Sequence, residues 1–165
     1  MAVDMYLRID SPKIDGESED SQHKGEIELT GWSWEAAQAG TSGSGGGSGT
    51  GKVEHQDIEI RKFVDRASPV LYKYCCMGQH IKSADLTVRK AGGDALEYLV
   101  IHLEDLLITS FVLGGDPKGD RVEETLRINF TRAAITYTPQ VAGGGGGAKV
   151  SGGWDLKANA PFEAG

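Results

Sequence analysis

The chain predicts a β-rich fold, a strongly coiled sheet or closed barrel with one helix docked against it, and three observations lead there. Two segments, Asp85-Leu86-Thr87-Val88-Arg89 and Leu126-Arg127-Ile128-Asn129-Phe130-Thr131, alternate apolar and polar residues, the period of a strand buried on one face. Two other segments carry a slip in that alternation, which a flat sheet would not need. Only one stretch has the capping residues and spacing of a helix.

In chain order, the first slip lies in Glu26-Ile27-Glu28-Leu29-Thr30-Gly31-Trp32-Ser33-Trp34-Glu35, where Ile27 and Leu29 share one parity and Trp32 and Trp34 the other. A β-bulge near Thr30 and Gly31 brings all four apolar side chains to one face and turns Glu28, Ser33 and Glu35 to the other. A similar slip separates Ile58 and Ile60 from Phe63. The helix opens with Ser68 as N-cap and Pro69 in its first turn; Leu71, Tyr74, Cys75 and Gly78 fall at i, i+3, i+4 and i+7, and Gly78 suits the residue just past the C-terminus. Leu96 to Val112 is apolar with irregular alternation, and Leu106-Leu107-Ile108 would put side chains on both faces. That segment reads as two strands' worth of buried sheet with a bend, or as sheet interrupted by a short helix over Glu104 to Ile108.

The 165 residues fit a single domain, 1–165, large enough to build a core without disulfides. Cys75 and Cys76 are adjacent, so a bridge between them would close a strained ring; two free thiols in a reducing compartment are expected. Glycine is concentrated in Gly40-Thr41-Ser42-Gly43-Ser44-Gly45-Gly46-Gly47-Ser48-Gly49-Thr50-Gly51 and in the run Gly143 to Gly147. Each joins strands of the same domain. Such a stretch reads either as a flexible surface loop or as an arm that orders on meeting a neighbouring copy.

Seventeen Lys and Arg stand against 24 Asp and Glu, for a net charge of −7. A phosphate backbone or anionic bilayer would repel such a surface, so neither nucleic acid nor membrane is an expected partner. Met1 to Asp10 shows no basic leader followed by an apolar run, and no apolar stretch reaches a membrane span; synthesis and folding in the cytoplasm are expected.

The chemistry-bearing motifs fail on inspection. Gly46-Gly47-Ser48-Gly49-Thr50-Gly51-Lys52-Val53 fits G-x-x-x-x-G-K, yet Val53 lacks the hydroxyl that would hold magnesium, and a strand follows where the phosphate loop needs a helix. His23, His55, His80 and His102 are scattered, and His80 follows Cys75 and Cys76 without a zinc spacing. No serine is flanked by the glycines of a nucleophile elbow. Glu17, Glu19 and Asp20 read as a solvated polar loop, and Trp32, Trp34 and Trp154 as core or interface anchors, with no basic residues interleaved to make a base-stacking platform. No metal, no cofactor and no catalytic residues are expected.

Against those negatives a positive pattern runs along nearly the whole chain. It comprises Ala2-Val3-Asp4-Met5-Tyr6-Leu7, the Asp15-Gly16-Glu17-Ser18 turn with His23-Lys24, Trp32-Ser33-Trp34, and the Gly/Ser loop ending in Gly51-Lys52-Val53. Ala67-Ser68-Pro69, Leu86-Thr87-Val88-Arg89-Lys90-Ala91-Gly92-Gly93 and Glu97-Tyr98-Leu99 follow. Asp120-Arg121, Ile128-Asn129-Phe130, Tyr137-Thr138-Pro139-Gln140 and Gly153-Trp154-Asp155-Leu156 complete it. In order and spacing these resemble the hemolysin-coregulated protein (Hcp) family of type VI secretion. Glu123 stands where the family often has Thr, Cys75-Cys76 where small residues are common, and Gly143 to Gly147 replaces a more mixed turn.

The resemblance implies a β-barrel-like fold of two packed antiparallel sheets with one flanking helix, and a homohexameric ring that stacks into a tube. It implies a contractile sheath, a spike trimer and small effector proteins as partners, the effectors lodging in the ring lumen, and export without a signal peptide. Ser33 matches a lumen-facing position that contacts cargo, and Gly40 to Gly51 matches an extended loop reaching neighbouring subunits and rings. A head-to-tail ring needs two different complementary surfaces on each copy. The alternatives are a small-molecule-binding barrel of the lipocalin type and a hydrolase using the carboxylate-rich loop.

Overall fold

The computed structural model describes residues 2–40, 52–92 and 95–165. In chain order the elements are β1 (Val3–Asp10), β2 (Lys13–Ile14), β3 (Ile27–Glu28), β4 (Gly31–Ser33), β5 (Ala36–Ala37), β6 (Glu54–His55) and β7 (Ile58–Phe63). Then come α1 (Ser68–Met77), β8 (Ile81–Lys90), β9 (Glu97–Gly114), β10 (Glu123–Tyr137), β11 (Val150–Asp155) and β12 (Ala160–Pro161). All the strand pairs are antiparallel, in the order β12-β11-β10-β9-β8-β1-β2, with β7 on β10, β4 on β7 and β3 on β1.

Two long strands run through both walls of the barrel. β10 carries β9 along one edge; its Glu123–Ile128 half pairs with β7 on the other edge, and its Arg132–Tyr137 half with β11. In β9 the buried parity switches from Ile101 and Leu103 to Leu106 and Ile108. The switch is made at Asp105, which sits at φ 54, a left-handed conformation that aspartate tolerates better than most residues. The bend expected between Leu96 and Val112 is therefore a local phase change within one continuous strand, and the alternative of a short helix over Glu104 to Ile108 is not realised.

The slip around Thr30 and Gly31 has a different cause from the bulge expected there. β3 belongs to the ladder of β1 and β4 to that of β7, so the chain crosses from one wall to the other between them. Consecutive amides make the crossing: Leu29 N–H donates to the Met5 carbonyl (2.9 Å) and Thr30 N–H to the Arg61 carbonyl (2.8 Å). This short segment closes the barrel, and the parity changes because each half obeys a different neighbour.

The slip expected after Ile60 does not occur. β7 keeps strict alternation with Ile58, Ile60 and Lys62 pointing inward, and Phe63 lies outside beneath the Arg121 guanidinium, 4.2 Å from its ring centroid. A lysine holds the third inner place because Glu124, its partner across the ladder, also points inward. Lys62 Nζ donates to Asp65 Oδ1 (2.8 Å), Ser68 Oγ (3.0 Å) and Glu124 Oε2 (3.2 Å).

That cluster also explains how α1 begins. Ser68 is not the N-cap: Ala67 occupies that place without a side-chain cap, and the Ser68 hydroxyl is taken up by Lys62 and by the Asp65 amide. The Asp65 carboxylate accepts from Ala67 N–H (2.9 Å) and so satisfies an amide at the helix start. The C-terminus is as expected. Gly78 sits at φ 62, its N–H donating to Cys75 and that of Gln79 to Tyr74, the paired bonds of a Schellman motif.

The interior is packed by Leu7, Ile9, Ile27, Ile60, Leu86, Leu103, Leu126 and their neighbours, with Leu71 of α1 wholly buried against them. The glycine run is hydrogen-bonded: Val141 N–H donates to Gly145, Gly144 to Val141 and Gly147 to Pro139. Cys75 is half-buried, Cys76 is exposed, and both are free thiols.

Candidate assembly and cargo surfaces

Ser33 lies on β4 between two tryptophans that pack on the core, and strand alternation sends its side chain outward, where it is exposed. Glu28 and Glu35 are exposed with it, as the sequence predicts. Across the ladder Ser33 faces Glu59, which accepts from the Arg127 guanidinium at 3.0 Å. Farther along the same wall Asp57 accepts from Asn129 Nδ2 (2.9 Å) and from the Thr109 hydroxyl. The outer face of β4, β7 and the first half of β10 is thus a polar wall on which Glu59, the residue facing Ser33, is paired with Arg127, while Arg61 and Glu35 are exposed. Such a surface can offer hydrogen bonds to a protein without imposing a strong field of either sign.

Arg127 and Asn129 were visible in the sequence as polar partners of an alternating strand. Their place beside Ser33 was not, because it depends on β7 bringing β4 and β10 onto one wall.

The loop expected to make contacts springs from this wall. Its root is a two-stranded ribbon in which Ala36 pairs with His55 and Ala37 with Glu54; Gln56 N–H also donates to the Glu35 carbonyl at 2.9 Å. Gly40 is exposed, whereas Thr41 to Gly51 lie outside the described residues, as does most of the phosphate-loop near-match. His55 packs in an aromatic cluster with Trp34 (centroids 5.9 Å apart) and Phe130 (5.9 Å), and burial lowers its pKa below the ordinary histidine value.

Of the carboxylates expected to form a solvated loop, Glu19 is exposed, but Asp20 and Glu17 are engaged. Asp20 holds the buried Arg89 guanidinium at 2.6 and 3.0 Å, and Asp4 and the Tyr6 hydroxyl also accept from it. The Arg89 hydrogen bonds keep the Asp20 carboxyl well below the usual carboxylate range. Glu17 accepts from Arg66 N–H at 2.9 Å. Arg89 therefore ties this loop to β8 and β1.

A second polar chain crosses the other wall. His102 lies between Asp85 (2.7 Å) and Glu104 (3.2 Å); Arg8 joins Asp85 (2.6 Å), and Arg132 joins Glu104 (3.0 Å) to Asp155 (2.8 Å). Burial opposes a charge on His102, but hydrogen bonds to Asp85 and Glu104 outweigh it and raise the pKa. Among the described residues no three His, Cys, Asp or Glu side chains converge as metal ligands.

Comparison with known proteins agrees with this β-rich fold. Residues 6–137 match the family model described as type VI secretion system effector, Hcp. The chain belongs to the Hcp family of type VI secretion proteins. It is 42% identical to Protein hcp1 of Pseudomonas aeruginosa over 161 residues, covering 96% of this chain and 98% of that protein. The Hcp1 structure from Salmonella typhimurium superposes with a TM-score of 0.80 at 38% identity, covering 98% of this chain and all of the other. A structure described as a type six secretion system protein gives 0.91 at 31% identity, with 98% and 100% covered. The fold of this chain is thus shared with other Hcp structures.

Proposed function

We propose that this Hcp chain is a structural subunit of the type VI secretion inner tube and has no enzymatic activity of its own. Copies close into homohexameric rings, the rings stack, and the tube is propelled by a contractile sheath behind a spike trimer. Made in the cytoplasm, the protein leaves through the secretion system without a signal peptide and carries small effectors in its lumen. Residues 1–165 act as one unit, Ser33 lies on the inner wall, and Gly40 to Gly51 contact neighbouring subunits or rings.

The observation that carries this reading is the wall around Ser33. Trp32 and Trp34 anchor β4 to the core, so Ser33 is presented on a rigid, charge-balanced sheet. Rigid presentation lowers the entropy lost when cargo docks. The packed interior speaks against a lipocalin-type ligand cavity, since Leu7, Ile27, Ile60 and Leu86 fill it.

Light scattering coupled to size-exclusion chromatography tests the proposal directly. A hexamer mass, with six-fold rings in electron micrographs, is expected. A monodisperse monomer across the micromolar range would overturn it.

A further inference from the structure

Ribbon β5–β6 extends from β4 and β7 through the Gln56 N–H bond to the Glu35 carbonyl, and among the described residues it pairs with no other strand of the barrel. Beyond that root a ribbon this short gains little from its own pairing, so side-chain packing holds it against the barrel. His55 is central to that packing: its ring stacks on Trp34 at 28° and meets Phe130 at 82°, while Phe130 and Trp34 lie edge to face at 5.4 Å. Among the described residues the buried His55 Nδ1 has no hydrogen-bond partner, and neither has Trp34 Nε1.

We infer that His55 is a proton-sensitive latch at the root of the 40–51 loop: on gaining a proton it leaves the aromatic cluster, and ribbon β5–β6 comes away from the barrel. The groove around it is lined by Trp34, Ala36, Ala133, Ile135 and Trp154 with Gly152 and Gly153, none of them ionisable. Glu35 and Glu54 flank His55 in the ribbon and are exposed, and Asp57 is engaged by Thr109 and Asn129. Among the described residues no carboxylate is placed to receive a proton-bearing Nδ1. The indole face would attract an imidazolium, but a centroid distance of 5.9 Å is near the outer limit of that attraction.

The sign follows from linkage. The docked ring binds fewer protons than the released one, so docking is strongest above the ordinary histidine value of about 6.5 and weakens as pH falls below it. Any consequence for rings rests on the reading of Gly40 to Gly51 as a contact loop.

The test is acrylamide quenching of tryptophan emission in the full-length protein between pH 8 and pH 5, with light scattering on the same samples. Quenching should rise about twofold or more in the wild type as pH falls below about 6.5, as expected when a buried indole is uncovered. It should stay flat in His55→Phe, which keeps an aromatic ring without a titrating group, and Trp34→Phe should reduce the rise to the part contributed by Trp154, which lines the same groove. The same pH dependence in His55→Phe would overturn the latch. Should His55→Phe not fold, NMR on the wild type decides: the His55 ring and the Trp34 indole N–H must titrate with one midpoint, and separate midpoints overturn the proposal. A hexamer that persists while quenching rises supports the latch and removes the loop from the ring contacts. Absence of a hexamer at every pH counts against the tube reading alone.

Discussion

Lys62 and Glu124 face each other across the β7–β10 ladder with their charged groups 3.2 Å apart and neither side chain exposed to solvent. An ion pair in that position must recover a large loss of hydration from a few contacts. Asp65 and Ser68 supply two of them, which is why the pair sits where the chain turns from β7 into α1.

Removing one partner should therefore cost far more than removing both. Lys62→Met leaves Glu124 buried and uncompensated and is expected to lower unfolding stability by about 3–5 kcal/mol in urea denaturation. The double variant Lys62→Met, Glu124→Leu should recover most of that loss. Equal losses in the single and double variants would show that the pair is not energetically coupled.

Asp20 gives a pH signature. Its pKa is depressed by Arg89, so its stabilising contribution is present above about 3.9, the unfolded carboxylate value, and is lost as pH falls toward its folded value. The Tm of the wild type should drop more steeply between pH 5 and pH 3 than that of Asp20→Asn, which should already be lower at pH 7. Parallel Tm curves for the two proteins would rule the contribution out.

His102 should act in the opposite direction to His55. Its folded pKa is raised, so its contribution is complete below about 6.5 and is lost as pH rises through the folded value. Urea midpoints measured from pH 6 to pH 9 are expected to fall in the wild type and to change less in His102→Gln. Identical slopes would mean that Asp85 and Glu104 hold the imidazole without stabilising its charge.

Ser33→Gln tests the proposed cargo surface separately from the fold. The side chain is exposed, so unfolding stability should change by less than about 0.5 kcal/mol and the ring mass should be unaltered. Retention of a lumen-bound effector is expected to weaken about tenfold, equivalent to ~1.4 kcal/mol of contact. Unchanged effector retention and half-life beside intact rings would remove Ser33 from the cargo surface.

Much of the architecture was legible in local pattern. The alternation from Leu126 to Phe130 marks a strand with one buried face, and Gly78 marks the end of α1, because both depend on neighbours a few residues away. The outward direction of Ser33 was legible for the same reason: Trp32 and Trp34 are large enough to force their own parity. Asp20 was harder to read, since it becomes a structural anchor only through Arg89, 69 residues later.

The two slips separate the levels most clearly. By itself the sequence determined that something interrupts the alternation at Thr30 and Gly31, because four large apolar side chains cannot share a face otherwise. Only the tertiary structure decided that the interruption is a crossing that closes the barrel, since a strand's partners are set by which edges are free. At Lys62 the pattern misled, because a lysine in an inward position reads as a break in alternation. Its burial is decided by Glu124, 62 residues away, whose charge makes the inner place tolerable once β7 and β10 lie side by side.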